Sequence, residues 1–252
     1  GSFFSDIIST SAQIQIPVTH LTTCHRTDGK SIVENSNIVR RQCRSPFIQD
    51  NSFCVSGHNI AAAATAYLNL FCVKNATVNS VIIAPSNSEV VELNMAVHRQ
   101  RHGTLSHGTG GFRYSSKKQD EKLQPLGWTM FAGDPVMNKK NIKCGTQEHD
   151  SYYLPNGAIG IVQSVKAQGG GTIDVRVEFS LGRRFLHTYM LVKKQFIQNV
   201  VVPAYAITVH AAQGSEFENV ICSMARTCSI WVDRQLLYTA ITRAKQKCFL
   251  FA

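Results

Sequence analysis

The hydrophobic pattern is clearest at residues 81–102, where a short apolar run gives way to apolar residues at helical spacing. Residues 81–84 (VIIA) are continuously apolar, as in strands that are buried on both faces of a parallel sheet. Ser86 and Glu89 then have the spacing of a helix capping box. The pattern predicts a strand, a tight turn and a helix, with Ser86 and Asn87 at the carboxyl end of the strand. Ligands bind at that end of the strands in open α/β sheets.

Comparable patterns on both sides of this unit predict further helices and strands. Helices are predicted over residues 31–41, 59–73 and 232–245, and strands over residues 219–224 and 247–252. The last helix places four apolar residues on one side, Leu236, Leu237, Ala240 and Ile241. These elements together predict an α/β fold.

The middle of the chain has a different pattern. Residues 102–126 are polar and rich in Gly, Ser and Lys, which predicts a loop. Residues 159–165 and 172–179 alternate on either side of the glycines 169–171 and predict a β-hairpin. The short strands and turns from residue 127 to 194 indicate a small antiparallel barrel inserted into the α/β domain.

Composition narrows the class of partner. The 252 residues are 44% hydrophobic and 17% charged, as in folded domains, and no apolar run reaches membrane-spanning length, so no membrane partner is expected. Lys and Arg number 26 against 16 Asp and Glu, and the net charge of +10 suits a polyanion such as a nucleic acid. A basic soluble protein without such a partner is the alternative. The chain stops inside an apolar run, which indicates a piece of a longer protein.

Eight cysteines without a C-x-x-C pair indicate reduced thiols in an intracellular protein, nuclear or cytoplasmic. A zinc site can be drawn from Cys24, His25, Cys54 and His58, but this spacing matches no common zinc finger. No residue is therefore assigned to a metal.

The segment Gly29-Lys30-Ser31 has the form of the end of a phosphate-binding loop. The pattern requires a glycine five residues before Gly29, where this chain has Cys24, and Asp28 would repel phosphates. A degenerate phosphate loop is one interpretation. A turn that enters the helix at Ser31 is the other, and we favour it.

Two stretches carry a family resemblance. AYAITVHAAQGSEFENVI (204–221) and LLYTAITRAK (236–245) resemble the fifth and sixth motifs of superfamily 1 nucleic-acid helicases, especially the RecD-like branch that moves 5′ to 3′. Three further stretches resemble that family in the same order along the chain. Residues 6–26 resemble the segment that follows the third motif, and residues 84–94 resemble the family's strand-end motif that touches the nucleic-acid backbone. Residues 131–141 and 154–162 resemble the SH3-like barrel inserted in the family's second motor domain.

The resemblance implies a fold and its division into domains. The fold class is α/β, a RecA-like parallel sheet with helices on both faces that carries an inserted small SH3-like antiparallel β-barrel. The second RecA-like domain would comprise residues 3–126 and 196–252, and the barrel residues 127–195.

The resemblance also implies a nucleotide site. Arg26 and Arg243 would act on the transferred phosphoryl group as arginine fingers, for which a guanidinium suits because it stays charged. Gly214 and Glu216 would approach the nucleotide, with Glu216 accepting a hydrogen bond from a ribose hydroxyl, and Gln213 would lie between the nucleotide and the nucleic acid. ATP and Mg²⁺ would be bound mainly by an N-terminal RecA-like domain that this chain lacks.

The nucleic-acid contacts implied by the resemblance lie on three segments: Ser86 and Asn87, Thr208 and His210, and Lys139 and Lys140. The partner would be single-stranded nucleic acid, DNA rather than RNA, with replication proteins as further partners. Related sequences usually read His-Lys-Ser-Gln-Gly where this chain has His210-Ala211-Ala212-Gln213-Gly214. The chain therefore lacks a lysine and a hydroxyl that would contact the strand or couple the two sites.

The sequence thus predicts the C-terminal motor half of an ATP-dependent 5′-to-3′ helicase, inactive by itself. Two alternatives remain: a non-catalytic nucleic-acid-binding module that has lost motor activity, and a protein-interaction domain that uses the barrel.

Overall fold

The computed structural model describes most of the chain. The described residues are 27, 29–41, 45–71, 73–74, 77–103, 112–113, 129–144, 152–167, 172–181, 184–193, 201–224 and 234–252, with isolated positions at 7, 17 and 19.

Within these ranges the helices are α1 (Lys30–Arg41), α2 (Ile60–Leu70), α3 (Asn87–His102) and α4 (Arg234–Ile241). The strands are β1 (Phe53–Ser56), β2 (Val73–Lys74), β3 (Thr77–Val78), β4 (Ser80–Ala84), β5 (Phe112–Arg113), β6 (Thr129–Met130), β7 (Pro135–Asn138), β8 (Ile142–Cys144), β9 (Tyr152–Leu154), β10 (Ile159–Ala167), β11 (Thr172–Leu181), β12 (Arg184–Lys193), β13 (Val201–Pro203), β14 (Ala206–Thr208), β15 (Phe217–Ser223) and β16 (Ala244–Phe251). None of the helices in the described part is long and apolar enough to span a membrane.

The first sheet is parallel, as the apolar run at residues 81–84 predicts. Its strand order is β1-β16-β15-β4-β14, and every neighbouring pair is parallel. Strand β4 lies between β15 and β14, and all five of its residues are buried. Such burial explains why this strand reads as a continuous apolar run rather than as an alternation.

Helices cover both faces of the parallel sheet. Ile83 packs on the face that α1 and α4 cover, in the apolar cluster that contains Ile241. Ile82 points to the other face and packs with Leu93 in the cluster that α2 and α3 cover. Because side chains alternate along a strand, one apolar run supplies both layers of the core.

Helix α3 begins and ends where the sequence predicts. The Ser86 hydroxyl accepts a hydrogen bond from the Glu89 amide at 3.3 Å, which caps the first turn. Gly103 follows the helix with φ of +65°, a conformation that glycine adopts without strain.

The predicted helix over residues 232–245 is shorter than expected at its carboxyl end. Helix α4 ends at Ile241, Thr242 and Arg243 form a turn, and β16 begins at Ala244. The extension to residue 245 was wrong because Ala244 is already paired with Phe217 of β15 in the parallel sheet. Local helix propensity yields here to strand pairing.

The second sheet is antiparallel and has the order β12-β11-β10-β7-β13. Strands β10 and β11 form the predicted hairpin, with Val165 opposite Val175. Gly160 of β10 permits a close approach, since a Cβ there would lie 2.7 Å from the Glu178 carbonyl oxygen. Strand β13 pairs with β7 in this sheet and leads directly into β14 of the parallel sheet.

A buried polar joint connects the two sheets. Asp134, in the turn between β6 and β7, is fully buried and accepts a hydrogen bond from the Tyr205 hydroxyl at 2.7 Å. Burial raises the pKa of Tyr205 well above its usual value, so the phenol keeps the proton that it donates. Nearby, the Asn94 side chain accepts a hydrogen bond from the backbone N–H of Ala206 at 3.0 Å and donates one to its carbonyl oxygen at 2.9 Å. It thereby satisfies the backbone hydrogen-bonding groups of the first residue of edge strand β14.

Candidate nucleotide and nucleic-acid site

Arg243 joins the two stretches that carry the strongest motif signal. Its Nη1 donates to the Ser215 carbonyl oxygen at 3.2 Å, and its Nε donates to the Thr239 carbonyl oxygen at 3.1 Å. Its Nη2 donates to the Thr242 hydroxyl at 3.3 Å. The guanidinium is half-buried and lies against the loop that follows β14. A phosphate at this position would have to replace the Ser215 oxygen as an acceptor.

The loop from Gln213 to Glu216 lies beside the start of β16. Gly214 has φ of +83°, which allows the loop to turn there, and Gln213 is exposed. The Glu216 carboxylate forms an ion pair with Lys245, with Oε2 and Nζ 2.8 Å apart. A ribose hydroxyl at Glu216 would share the carboxylate with this lysine.

Thr27 connects a third part of the sequence to the same place. The Thr27 hydroxyl donates to the Lys245 carbonyl oxygen at 2.5 Å and accepts from the Gly29 amide at 3.0 Å. Arg26 itself lies outside the described residues. Through Thr27, Ser215 and Arg243, three separate parts of the sequence meet at the turn that contains Arg243.

The residues Gly29-Lys30-Ser31 lead into helix α1, as the favoured interpretation predicts. The Lys30 side chain is 88% exposed and pairs with Glu34 one turn along, at 3.9 Å. The buried Ser31 hydroxyl donates to Asp50 at 2.8 Å. This bond, with those from nearby backbone amides, lowers the pKa of Asp50, so the carboxylate stays charged near neutral pH. An anion near Ser31 would meet that negative charge, which disfavours a phosphate loop here.

The predicted nucleic-acid contacts on the parallel sheet lie on adjacent strand ends. Thr208 of β14 pairs with Ala84 of β4, and the next backbone amide, of Val209, donates to the Ala84 carbonyl at 3.1 Å. Ser86 and Asn87 follow β4, so the structure brings them to the same edge as Thr208. We call this the β4–β14 edge. Both Asn87 and His210 are exposed there.

Lys139 and Lys140 lie elsewhere. They follow β7, whose last residue, Asn138, pairs with Val201 at the start of β13. Since β13 leads into the amino end of β14, the turn with these lysines is on the side away from Thr208. The structure therefore does not bring the lysines together with the β4–β14 edge.

A buried carboxylate near this edge was missed in the sequence. Glu89, in the first turn of α3, is 1% exposed and accepts a hydrogen bond from the Ser223 hydroxyl at 2.5 Å. His58 lies 3.7 Å from the same oxygen. The capping-box spacing marks Glu89, but only the tertiary fold turns its side chain inward.

Ala211 and Ala212 stand where the resemblance to helicase motifs implies a lysine and a hydroxyl residue. Ala212 is fully buried in the apolar cluster beneath α1 and α4, and Ala211 packs against that cluster. The two alanines thus contribute to apolar packing and offer neither a cation nor a hydroxyl to the β4–β14 edge.

Two of the three segments that meet at Arg243 lie in a stretch that matches a known protein family. Residues 203–251 match the UvrD-like helicase C-terminal domain. The chain is 51% identical to an uncharacterized protein of Methanocaldococcus jannaschii over 47 aligned residues. These residues make up 19% of this chain and 4% of that protein. It is 36% identical over 50 residues to the RecBCD enzyme subunit RecD of Haemophilus influenzae, 20% of this chain and 8% of that subunit.

Among solved structures, the Pif1 helicase from Candida albicans aligns over 91% of this chain and 55% of its own, with a TM-score of 0.51 and 14% identity. That likeness shows the fold. These matches confirm that the chain is similar to the C-terminal half of a superfamily 1 helicase of the RecD and Pif1 type. The chain spans about half of the Pif1 structure and a small part of the curated relatives that it matches.

Proposed function

We propose that this chain is the C-terminal motor half of an ATP-dependent helicase that translocates 5′ to 3′ on single-stranded nucleic acid and unwinds duplex. The observation that carries the proposal is the convergence at Arg243. Thr27 bonds to Lys245, Lys245 pairs with Glu216, and Arg243 bonds to Ser215. Segments from three parts of the sequence thus form one surface that presents cations beside a carboxylate.

ATP and Mg²⁺ would bind between this surface and an N-terminal RecA-like domain that carries the phosphate loop and the magnesium carboxylates. Arg243 and Arg26 would stabilise the charge that develops on the transferred phosphoryl group. Glu216 would accept from the ribose, and Gly214 would let the loop approach the nucleotide. Gln213 begins this loop three residues after His210, a position suited to couple ATP hydrolysis to binding of the nucleic-acid strand.

The nucleic acid would cross the β4–β14 edge and contact Asn87, Ser86, Thr208 and His210. The second RecA-like domain would comprise residues 3–126 and 196–252, and residues 127–195 would form an SH3-like barrel. In this arrangement Lys139 and Lys140 would contact the part of the nucleic acid that extends beyond the parallel sheet. DNA is the proposed substrate, replication proteins are proposed partners, and an intracellular location, nuclear or cytoplasmic, follows from that role.

Tailed duplexes test the proposed activity and its direction. The full-length protein is expected to unwind a duplex with a 5′ single-stranded tail, in an ATP- and Mg²⁺-dependent manner, and to leave a 3′-tailed duplex intact. Strand displacement on matched DNA and RNA substrates measures both polarity and substrate class. Unwinding from the 3′ tail would contradict the direction, and displacement of RNA alone would contradict the preference for DNA.

Oligonucleotide binding by the purified chain tests the β4–β14 edge. Asn87→Ala and His210→Ala are each expected to weaken binding of a single strand by about 3- to 10-fold, the effect of one lost hydrogen bond. Asn69→Ala is the matched control, since Asn69 is also an exposed asparagine and lies near the carboxyl end of α2. Fluorescence anisotropy across a salt series measures the affinity. Equal affinities for all three variants would show that the oligonucleotide binds elsewhere on the protein.

The second candidate is a non-catalytic module that binds nucleic acid without motor activity. Ala211 and Ala212 favour it, because the edge lacks the cation and the hydroxyl that related motors carry there. For this candidate the full-length protein would bind single strands and neither hydrolyse ATP nor unwind the tailed duplexes.

A further inference from the structure

The carboxyl-terminal turn of α3 carries two histidines that face the second sheet. His98 and His102 are four residues apart, so they lie on one face of the helix. Both rings pack on Phe131, with ring centroids 6.0 and 4.5 Å away. Phe131 begins the turn that contains Asp134, so the two imidazoles and one buried carboxylate share a half-buried space between two elements.

We propose that His98, His102 and Asp134 bind a divalent transition-metal ion, of which zinc suits the ligand set best. One ligand atom from each of the three residues lies within 4.8 Å of the others. Two imidazoles and a carboxylate are an established donor set for zinc, with the fourth position left to water or another oxygen. Imidazole donors favour zinc over magnesium or calcium, which prefer sites built wholly from oxygen.

The carboxylate is held in place by the protein, as metal ligands generally are. The Phe131 amide donates to Asp134 Oδ2 at 2.9 Å, and the Tyr205 hydroxyl donates to Oδ1 at 2.7 Å. Such surrounding bonds fix the orientation of a ligand and raise metal affinity. The Tyr205 oxygen also lies 3.5 Å from His102 Nε2.

The ion would take the place of a shared proton. His102 Nε2 and Asp134 Oδ1 are 2.8 Å apart, a hydrogen-bond distance. Tetrahedral zinc with bonds of about 2.1 Å separates two ligand atoms by about 3.4 Å. A widening of about 0.6 Å would therefore replace the hydrogen bond by a pair of metal bonds, and a proton on His102 Nε2 would move to Nδ1 or to solvent, because a metal binds only an unprotonated ring nitrogen.

One nearby charge works against the ion. The Arg101 Nε lies 3.9 Å from Asp134 Oδ1, and its guanidinium is fixed by a bond to the Gly133 carbonyl oxygen and by the ring of Phe71. Repulsion from this cation lowers the affinity of the site relative to a site without it. A titration of the chain with zinc therefore has to extend to micromolar concentrations of the ion.

The position of the site indicates its role. His98 and His102 belong to a helix packed on the parallel sheet, and Asp134 precedes β7 of the antiparallel sheet. An ion bound by all three ties the two sheets together at the joint that also contains Tyr205. This inference concerns the attachment of the second sheet and does not depend on the proposed helicase activity.

Metal binding by the purified chain tests the proposal. After treatment with a chelator and dialysis, the chain is titrated with Zn²⁺, and separately with Co²⁺ as a spectroscopic probe. We expect one ion per chain, bands typical of tetrahedral cobalt, and no sulfur-to-cobalt charge transfer. At zinc about 100-fold above Kd, the melting temperature is expected to rise by about 5–10 °C.

Three variants distinguish this site from zinc binding elsewhere on the chain. His102→Gln and Asp134→Asn are expected to lose the bound ion and the zinc-dependent rise in melting temperature, with circular dichroism showing that each is folded. His58→Gln is the matched control, since His58 is a half-buried histidine beside the single carboxylate of Glu89. It is expected to bind zinc as the unchanged chain does.

The proposal is overturned if the unchanged, folded chain binds no zinc or cobalt and its melting temperature does not respond to them. The cluster is then a hydrogen-bonded joint only. It is also overturned if cobalt shows sulfur ligation that His58→Gln removes, because the ion then belongs to a cysteine-containing site.

Discussion

Replacing Arg243 by alanine in the full-length protein is expected to reduce ATP hydrolysis by about 10³-fold or more, the usual effect of losing an arginine finger. The reason is electrostatic, because a fixed guanidinium stabilises the charge that spreads over the transferred phosphoryl group. Steady-state ATPase assays with saturating single-stranded DNA measure the loss. Nucleotide affinity, measured separately, is expected to change much less than the rate.

A structural role for Arg243 has to be separated from this chemical role. Its bonds to Ser215 and Thr239 hold the loop and the helix end together, and losing them is expected to cost about 1–3 kcal/mol of stability. Arg243→Lys keeps the positive charge but not the planar guanidinium with its paired N–H donors, and it is expected to have little more activity than Arg243→Ala. Arg99→Ala, an exposed arginine of α3, is the control. Undiminished hydrolysis by Arg243→Ala would refute the assignment.

The 252-residue chain by itself is expected to hydrolyse ATP no faster than the buffer control. Phosphoryl transfer in such motors needs a phosphate loop and magnesium carboxylates to position the nucleotide, and an arginine alone supplies neither. In this chain Lys30 pairs with Glu34 and the Ser31 hydroxyl is bonded to Asp50. Phosphate release from micromolar protein at saturating ATP and Mg²⁺ measures the rate.

Two variants make this result decisive. If the purified chain does hydrolyse ATP, Lys30→Ala distinguishes the source, because a phosphate loop depends on its lysine and a contaminating ATPase does not. Loss of activity in Lys30→Ala, with activity kept in the exposed control Lys247→Ala, would restore the phosphate-loop interpretation of Gly29.

Much of the local structure could be predicted because short-range chemistry fixes it. The apolar run at 81–84 and the cap at Ser86 predict β4 and the start of α3, and both are observed. The hairpin around residues 169–171 was equally clear from alternation and glycines. The prediction failed at Thr242 to Lys245, where pairing with β15 ends the helix early, since a partner strand is not visible in a local pattern.

Motif order predicts Arg243, Glu216 and Thr208 as site residues, but it does not predict the ion pair of Glu216 with Lys245 or the contact of Arg243 with Ser215. Those contacts join residues that are far apart in sequence. Helical spacing alone could have paired His98 with His102, but Asp134 approaches them only through the second sheet.

The sequence by itself determined most of the helices and strands and the burial of β4 on both faces, because these depend on neighbours a few residues apart. It also carries the resemblance to helicase motifs. Only the tertiary structure decided which strand ends meet. It placed Thr208 beside Ala84, attached the segment of Thr27 to Lys245, and put Lys139 away from the β4–β14 edge. It also buried Glu89 and Asp134. Burial and long-range pairing depend on the packing of whole sheets, so no local pattern encodes them.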